Sequence, residues 1–139
     1  MLRPSLLLCA LLLPACVPDE GPAEATEGSA AEGALFFAEN CSGCHGADAR
    51  GGGPAAAGLD PPPADLTRIA ARNGGTFPED WVMSTINGFH RDVRPGSAMP
   101  AFDVEALGPT IVVERLEGIG TPVPVTLLAL SRYLESVQE

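Results

Sequence analysis

The stretch Cys41-Ser42-Gly43-Cys44-His45-Gly46 constrains this chain more than any other: two thiols stand three positions apart and an imidazole follows the second directly. The rest of the sequence makes a poor core by itself. It has 139 residues, 16 Gly and 14 Pro, and only 5% aromatic side chains, which leaves room for one small domain with a thin protein-only interior. Something other than side chains is expected to fill that interior, and the motif is the place to hold it.

The remaining cysteines are accounted for by the N-terminus. Residues 1–15, MLRPSLLLCALLLPA, carry one arginine and an apolar run from Leu6 to Leu13, the pattern of a secretory signal. That run is far shorter than the roughly 20 residues a membrane-spanning helix needs. The ending Leu13-Pro14-Ala15-Cys16 resembles a bacterial lipobox, which implies cleavage before Cys16 and acylation of its thiol; ordinary cleavage with a free product is the alternative. Cys9 falls inside the discarded run and Cys16 is the lipid candidate, so Cys41 and Cys44 remain. No structural disulfide is available unless that pair closes on itself.

Residues 16–30 are small, acidic and broken by proline, and read as a flexible tether ahead of a domain at 31–139. Asp19, Glu20, Glu24, Glu27 and Glu32 are read as solvated spacer. All eight basic residues are arginines, set against eighteen acidic ones for a formal charge of -10, which argues against a nucleic-acid partner. AEGALFFAEN, residues 31–40, has helical composition. Residues 46–64, dominated by Gly, Ala and Pro, are loop. Asp65 is placed to cap a short helix over 65–72 that stops at Asn73-Gly74-Gly75, and a further helix is expected over 78–87, containing Trp81 and Ile86. The β-branched run within 109–124 predicts a strand or hairpin. Leu127, Leu130, Leu134 and Val137 recur at helical spacing after two prolines and mark the last helix.

Cys-x-x-Cys-His is the attachment signature of c-type haem. The two cysteines reach the two vinyl groups of the porphyrin, and the adjacent histidine is carried under the iron. Three other chemistries compete. A thioredoxin-like redox pair wants a preceding strand, whereas a helical segment stands there. A zinc centre would draw on Cys41, Cys44, His45 and His90 without a paired second knuckle. A Cys41–Cys44 disulfide would be a small, strained loop.

With these residues the chain resembles a class I cytochrome c. Gly33 and Phe37, eight and four positions before Cys41, look like the glycine and aromatic of the family's first helix; Leu130 and Tyr133 look like the leucine and aromatic of its last. The resemblance implies an all-α fold of about four helices wrapped on one covalent haem c, with a short hairpin before the last helix and a close crossing of the first and last helices at the glycine. It implies His45 and Met99, the latter in Ser-Ala-Met-Pro-Ala-Phe, as axial ligands. His90 is the rival to Met99, and Met83, mid-helix beside Val82 and Ile86, reads as core. It further implies that the backbone carbonyl of Pro54 accepts a hydrogen bond from His45, that Gly46 avoids crowding the ring, and that Trp81 packs near the haem, with a plain core role as the alternative. The 103–124 segment is longer than in a minimal member.

With both axial positions taken, the expectation is a one-electron carrier rather than an enzyme, working on the periplasmic side of a bacterial membrane. It would be held there by lipid and served by redox protein partners at that surface. The alternative is a haem-containing subunit or sensor with an open or displaceable sixth ligand, gas-binding or peroxidase-like; it would bind carbon monoxide when reduced.

Overall fold

The computed structural model describes residues 27–89, 99–116 and 118–139. The leader, Cys16, most of the acidic spacer and the loop containing His90 lie outside the described residues.

Helix α1, Ala30–Asn40, starts on a capping box: the Ser29 hydroxyl accepts from the Glu32 N–H, and the Glu32 carboxylate accepts from the N–H groups of Ser29 and Gly28 at 3.1 and 2.8 Å. Two of the amides that a helix start leaves without partners, those of Ser29 and Glu32, are thereby satisfied, and the Gly28 N–H just ahead of them as well. Gly33 and Phe37, one turn apart, are the residues this helix buries. The chain passes with little break into α2, Ser42–His45, so the cysteine motif is itself a helical turn. Gly46, at φ +76°, ends it in a conformation that side chains other than glycine's rarely take.

The loop that follows contains a 3₁₀ turn at Pro54–Ala56 and returns to a second at Leu66–Arg68, which runs on into α3, Ile69–Arg72. Helix α4, Glu79–Ile86, has two acids in its first turn, matched to the positive end of its dipole, and buries Val82, Met83 and Ile86. Trp81 falls off that stripe and is 51% exposed, so the plain core role is excluded for it. Strands β1, Thr110–Leu116, and β2, Ile119–Pro124, form one antiparallel hairpin with Ile111 opposite Val123 and a register irregularity between Glu114 and Leu116. Helix α5, Val125–Ser136, buries Leu127, Leu130 and Leu134 as the spacing predicts, and Leu128 and Ala129 as well.

The core sits where α1 crosses α5. A Cβ on Gly33 would lie 2.0 Å from the Ala129 carbonyl oxygen, so the two backbones are in contact and only glycine fits between them. Phe37 and Tyr133 meet one turn further on, ring centroids 5.2 Å apart. Among the described residues, then, five helices and one hairpin agree with the about four helices and short hairpin expected, the additional helix being the short turn of the motif. No helix among them is long and apolar enough to cross a membrane.

Candidate functional site

The motif turn is closed by backbone bonds from Cys44 N–H and His45 N–H to the Cys41 carbonyl, 3.2 and 2.9 Å, and from Gly46 N–H to Ser42 at 2.9 Å. One helical turn therefore holds Cys41, Cys44 and His45 together, and α1, anchored on α5, determines where that turn sits. The carbonyls of Cys44 and His45 are taken by Gly53 N–H at 3.0 Å and Gly51 N–H at 2.7 Å. The glycine-rich loop thus wraps the motif, and Gly53 approaches so closely that a Cβ would fall 2.4 Å from the Gly43 carbonyl oxygen.

Both thiols are free and partly buried. Burial, and secondarily the neighbouring Cys44, push the Cys41 thiol up to about 11. A thioredoxin-like pair works the other way, through a lowered thiol pKa, and follows a strand where this motif follows α1. Among the described residues no three His, Cys, Asp or Glu side chains gather to hold a metal; His90, the fourth ligand a zinc centre would draw on, lies outside them.

His45 Nδ1 lies 3.1 Å from the Ala64 carbonyl oxygen. A carbonyl only accepts, so this contact requires the proton on Nδ1 and leaves the lone pair on Nε2 for a metal. The acceptor is Ala64 and not Pro54, which corrects the assignment the resemblance suggested. The reason is how the loop closes. Its outgoing limb at Ala49–Gly51 lies against its returning limb at Pro63–Leu66: Leu66 N–H donates to the Ala49 carbonyl at 2.7 Å, and a Cβ on Gly51 would be 2.6 Å from the Pro63 carbonyl oxygen. That pairing delivers Ala64 to the imidazole. Pro54, next to Gly53, instead opens the 3₁₀ turn behind Ser42 and Gly43.

Asp65 secures the same limb. Its carboxylate accepts from the Thr67 N–H and hydroxyl at 2.9 and 2.6 Å, and chiefly that hydroxyl holds the carboxyl below its ordinary range, with Arg50 and Arg72 assisting. A carboxyl depressed in the folded state stabilises the fold above its unfolded pKa of about 3.9 and loses that effect as pH falls through the folded value. In thermal melts, Asp65→Ala is expected to lower the midpoint at neutral pH. The gap from the unaltered protein should narrow progressively below pH ~4; a gap independent of pH would contradict the assignment.

Met99 is partly buried and packs against the apolar cluster of the core. Three residues on, the chain is fastened where Phe102 N–H donates to the Ile86 carbonyl at 3.3 Å and the Phe102 ring meets Phe36 edge-on at 5.7 Å. Met83 is 6% exposed and belongs to the core, as its sequence position indicates. His90 and Cys16 lie outside the described residues.

The residues present fit a covalently held porphyrin. Two free thiols and a metal-ready imidazole share one turn, and Cys41 and Met99 are each partly buried against a core poor in aromatic residues. Residues 28–110 match the family described as cytochrome C oxidase, cbb3-type, subunit III. No match was found among curated proteins or solved structures. The family match runs from two residues before α1 to the first residue of β1, more than half of the chain. The chain therefore belongs to this family of class I c-type cytochrome domains, in which a covalently bound haem c serves electron transfer.

Proposed function

We propose that this protein is a membrane-tethered, exported one-electron carrier whose single haem is bound through Cys41 and Cys44 and ligated by His45 and Met99. The observation that carries the reading is the His45–Ala64 contact, which presents Nε2 as a donor on the same turn as two free thiols. When bound, the group supplies a reversible Fe(III)/Fe(II) couple. The chain's own residues do the rest. Ala64 orients the imidazole and strengthens it as a donor. Phe36 and Ile86 hold Phe102, three residues after Met99. With two protein ligands in place no substrate reaches the metal, so the chemistry is transfer of an electron rather than conversion of a molecule.

The partner reading follows from charge and from the family. At a formal charge of -10 and without lysine, the protein suits basic or neutral docking surfaces. The family's description names an oxidase subunit, which favours a membrane redox complex as the partner. Lipid on Cys16 would confine the search to the membrane surface and raise the effective concentration there.

The test is the mass of the denatured mature protein made alongside haem-attachment machinery. The expected value is polypeptide plus one haem, with an acyl increment that disappears together with membrane association in Cys16→Ser. The double variant Cys41→Ala/Cys44→Ala is expected to lose the haem increment entirely. A haem-free mass for the unaltered protein overturns the reading.

A further inference from the structure

The last residues of the chain reach back across the fold to the limb that holds His45. Gln138 Nε2 donates to the Leu66 carbonyl at 2.8 Å and to the Leu134 carbonyl at 2.6 Å, while Gln138 Oε1 accepts from the Ala70 N–H at 2.8 Å. The orientation of this amide is fixed by its neighbours: reversed, its oxygen would face two carbonyl oxygens and its nitrogen an N–H. Glu139 adds a backbone bond from its N–H to the Thr67 carbonyl at 2.9 Å, and its carboxylate pairs with Arg50 on the outgoing limb of the loop. These contacts span about seventy residues of sequence. The bond to the Leu134 carbonyl caps the last turn of α5, so one amide joins the end of that helix to the distant limb.

Two residues before Leu66 stands Ala64, the acceptor for His45 Nδ1. The limb that carries it is held on one side by the fully buried Ala49, through Leu66 N–H, and on the other by Gln138 through the Leu66 carbonyl. The Asp65 carbonyl between them accepts from Arg72 at 2.8 Å. We propose that Gln138 is a positioning residue for the axial histidine: it clasps the 64–70 limb and thereby holds the Ala64 carbonyl at hydrogen-bonding distance from His45. The inference rests on the functional reading above and names a residue that regulates its potential.

The direction follows from ligand chemistry. A firm hydrogen bond from Nδ1–H makes the imidazole more electron-rich, which favours the ferric state and lowers the reduction potential. Loosening the clasp weakens that bond and raises the potential. The test uses holoprotein with three substitutions and two readouts, the midpoint potential and the solvent exchange of the His45 Nδ1 proton by NMR in the reduced state. Gln138→Ala is expected to shift the potential upward and speed the exchange. Gln138→Glu keeps an acceptor for Ala70 but loses both donated bonds, and should shift both readouts in the same sense. Glu139→Gln alters only the exposed ion pair with Arg50 and leaves the tail's backbone bond, so both readouts should stay put. Gln138 variants that melt earlier while potential and exchange stay unchanged would show a purely structural tail and overturn the clasp alone. An unaltered protein without covalent haem overturns the functional reading and this inference with it.

Discussion

Met99→Ala holoprotein, once reduced, is expected to bind carbon monoxide at neutral pH, where the unaltered protein binds little or none, and its potential is expected to fall. The thioether is a soft ligand that favours the ferrous state, so its loss removes a term that raises the potential and opens a position to exogenous ligands. Alanine is a suitable replacement because Met99 contributes a partly buried side chain at the border of the core, while the chain three residues on is anchored by Phe102 rather than by Met99 alone. The weak near-infrared absorption of methionine sulfur on ferric iron should vanish in the same variant. His90→Ala is the companion measurement. A ligand field that changes with His90→Ala and not with Met99→Ala would move the sixth ligand to His90 and lower the expected potential of the native protein. Carbon monoxide binding by the unaltered protein would instead support the displaceable-ligand alternative, a sensor or gas-binding subunit.

Which features could be read in advance depended on how local their cause is. The motif announces itself because its chemistry requires a fixed spacing within one turn. Gly33, Phe37, Leu130 and Tyr133 were legible through the family resemblance, which implies a close crossing of the first and last helices, and that crossing is present. The hairpin followed from a β-branched run, and the cap at Asp65 from a short acceptor placed before a helix. The acceptor for His45 was not legible, because a backbone carbonyl has no side-chain signature. Choosing Ala64 over Pro54 requires knowing how nineteen residues of loop close on themselves. Gln138 was silent for a related reason: its partners on the limb, Ala70 and Leu66, lie 68 and 72 positions away, and nothing near the C-terminus points to them. Ser29 and Glu32 are a different case. The Ser-x-x-Glu capping signal stands in the sequence, and it moves the helix start to Ala30, one residue ahead of the expected domain boundary.

Gly33→Ala is expected to destabilise the holoprotein by about 3 kcal/mol, more than most single substitutions do. The added methyl carbon would lie 2.0 Å from the Ala129 carbonyl oxygen, 2.4 Å from its carbon and 2.8 Å from the Leu130 nitrogen. All three are backbone atoms inside α5, so no side chain can rotate away and the helices themselves must separate. Separation exposes Phe37 and Leu130, which are 2% and 1% accessible, and breaks the Phe37–Tyr133 ring contact. Gly43→Ala is the matched control: it also lies in a helical turn, but a Cβ there meets nothing within 4 Å, so its effect should stay within about 0.5 kcal/mol. Guanidinium unfolding followed by circular dichroism measures both, with the haem covalently retained in each sample. The consequence reaches the site, because α1 ends at Cys41 and a displaced α1 carries the motif turn with it. The Gly33→Ala protein should therefore also lose intensity in the methionine–iron absorption under conditions where it remains folded. Equal stability of the two glycine variants would mean that the α1–α5 crossing is looser than contact between backbones.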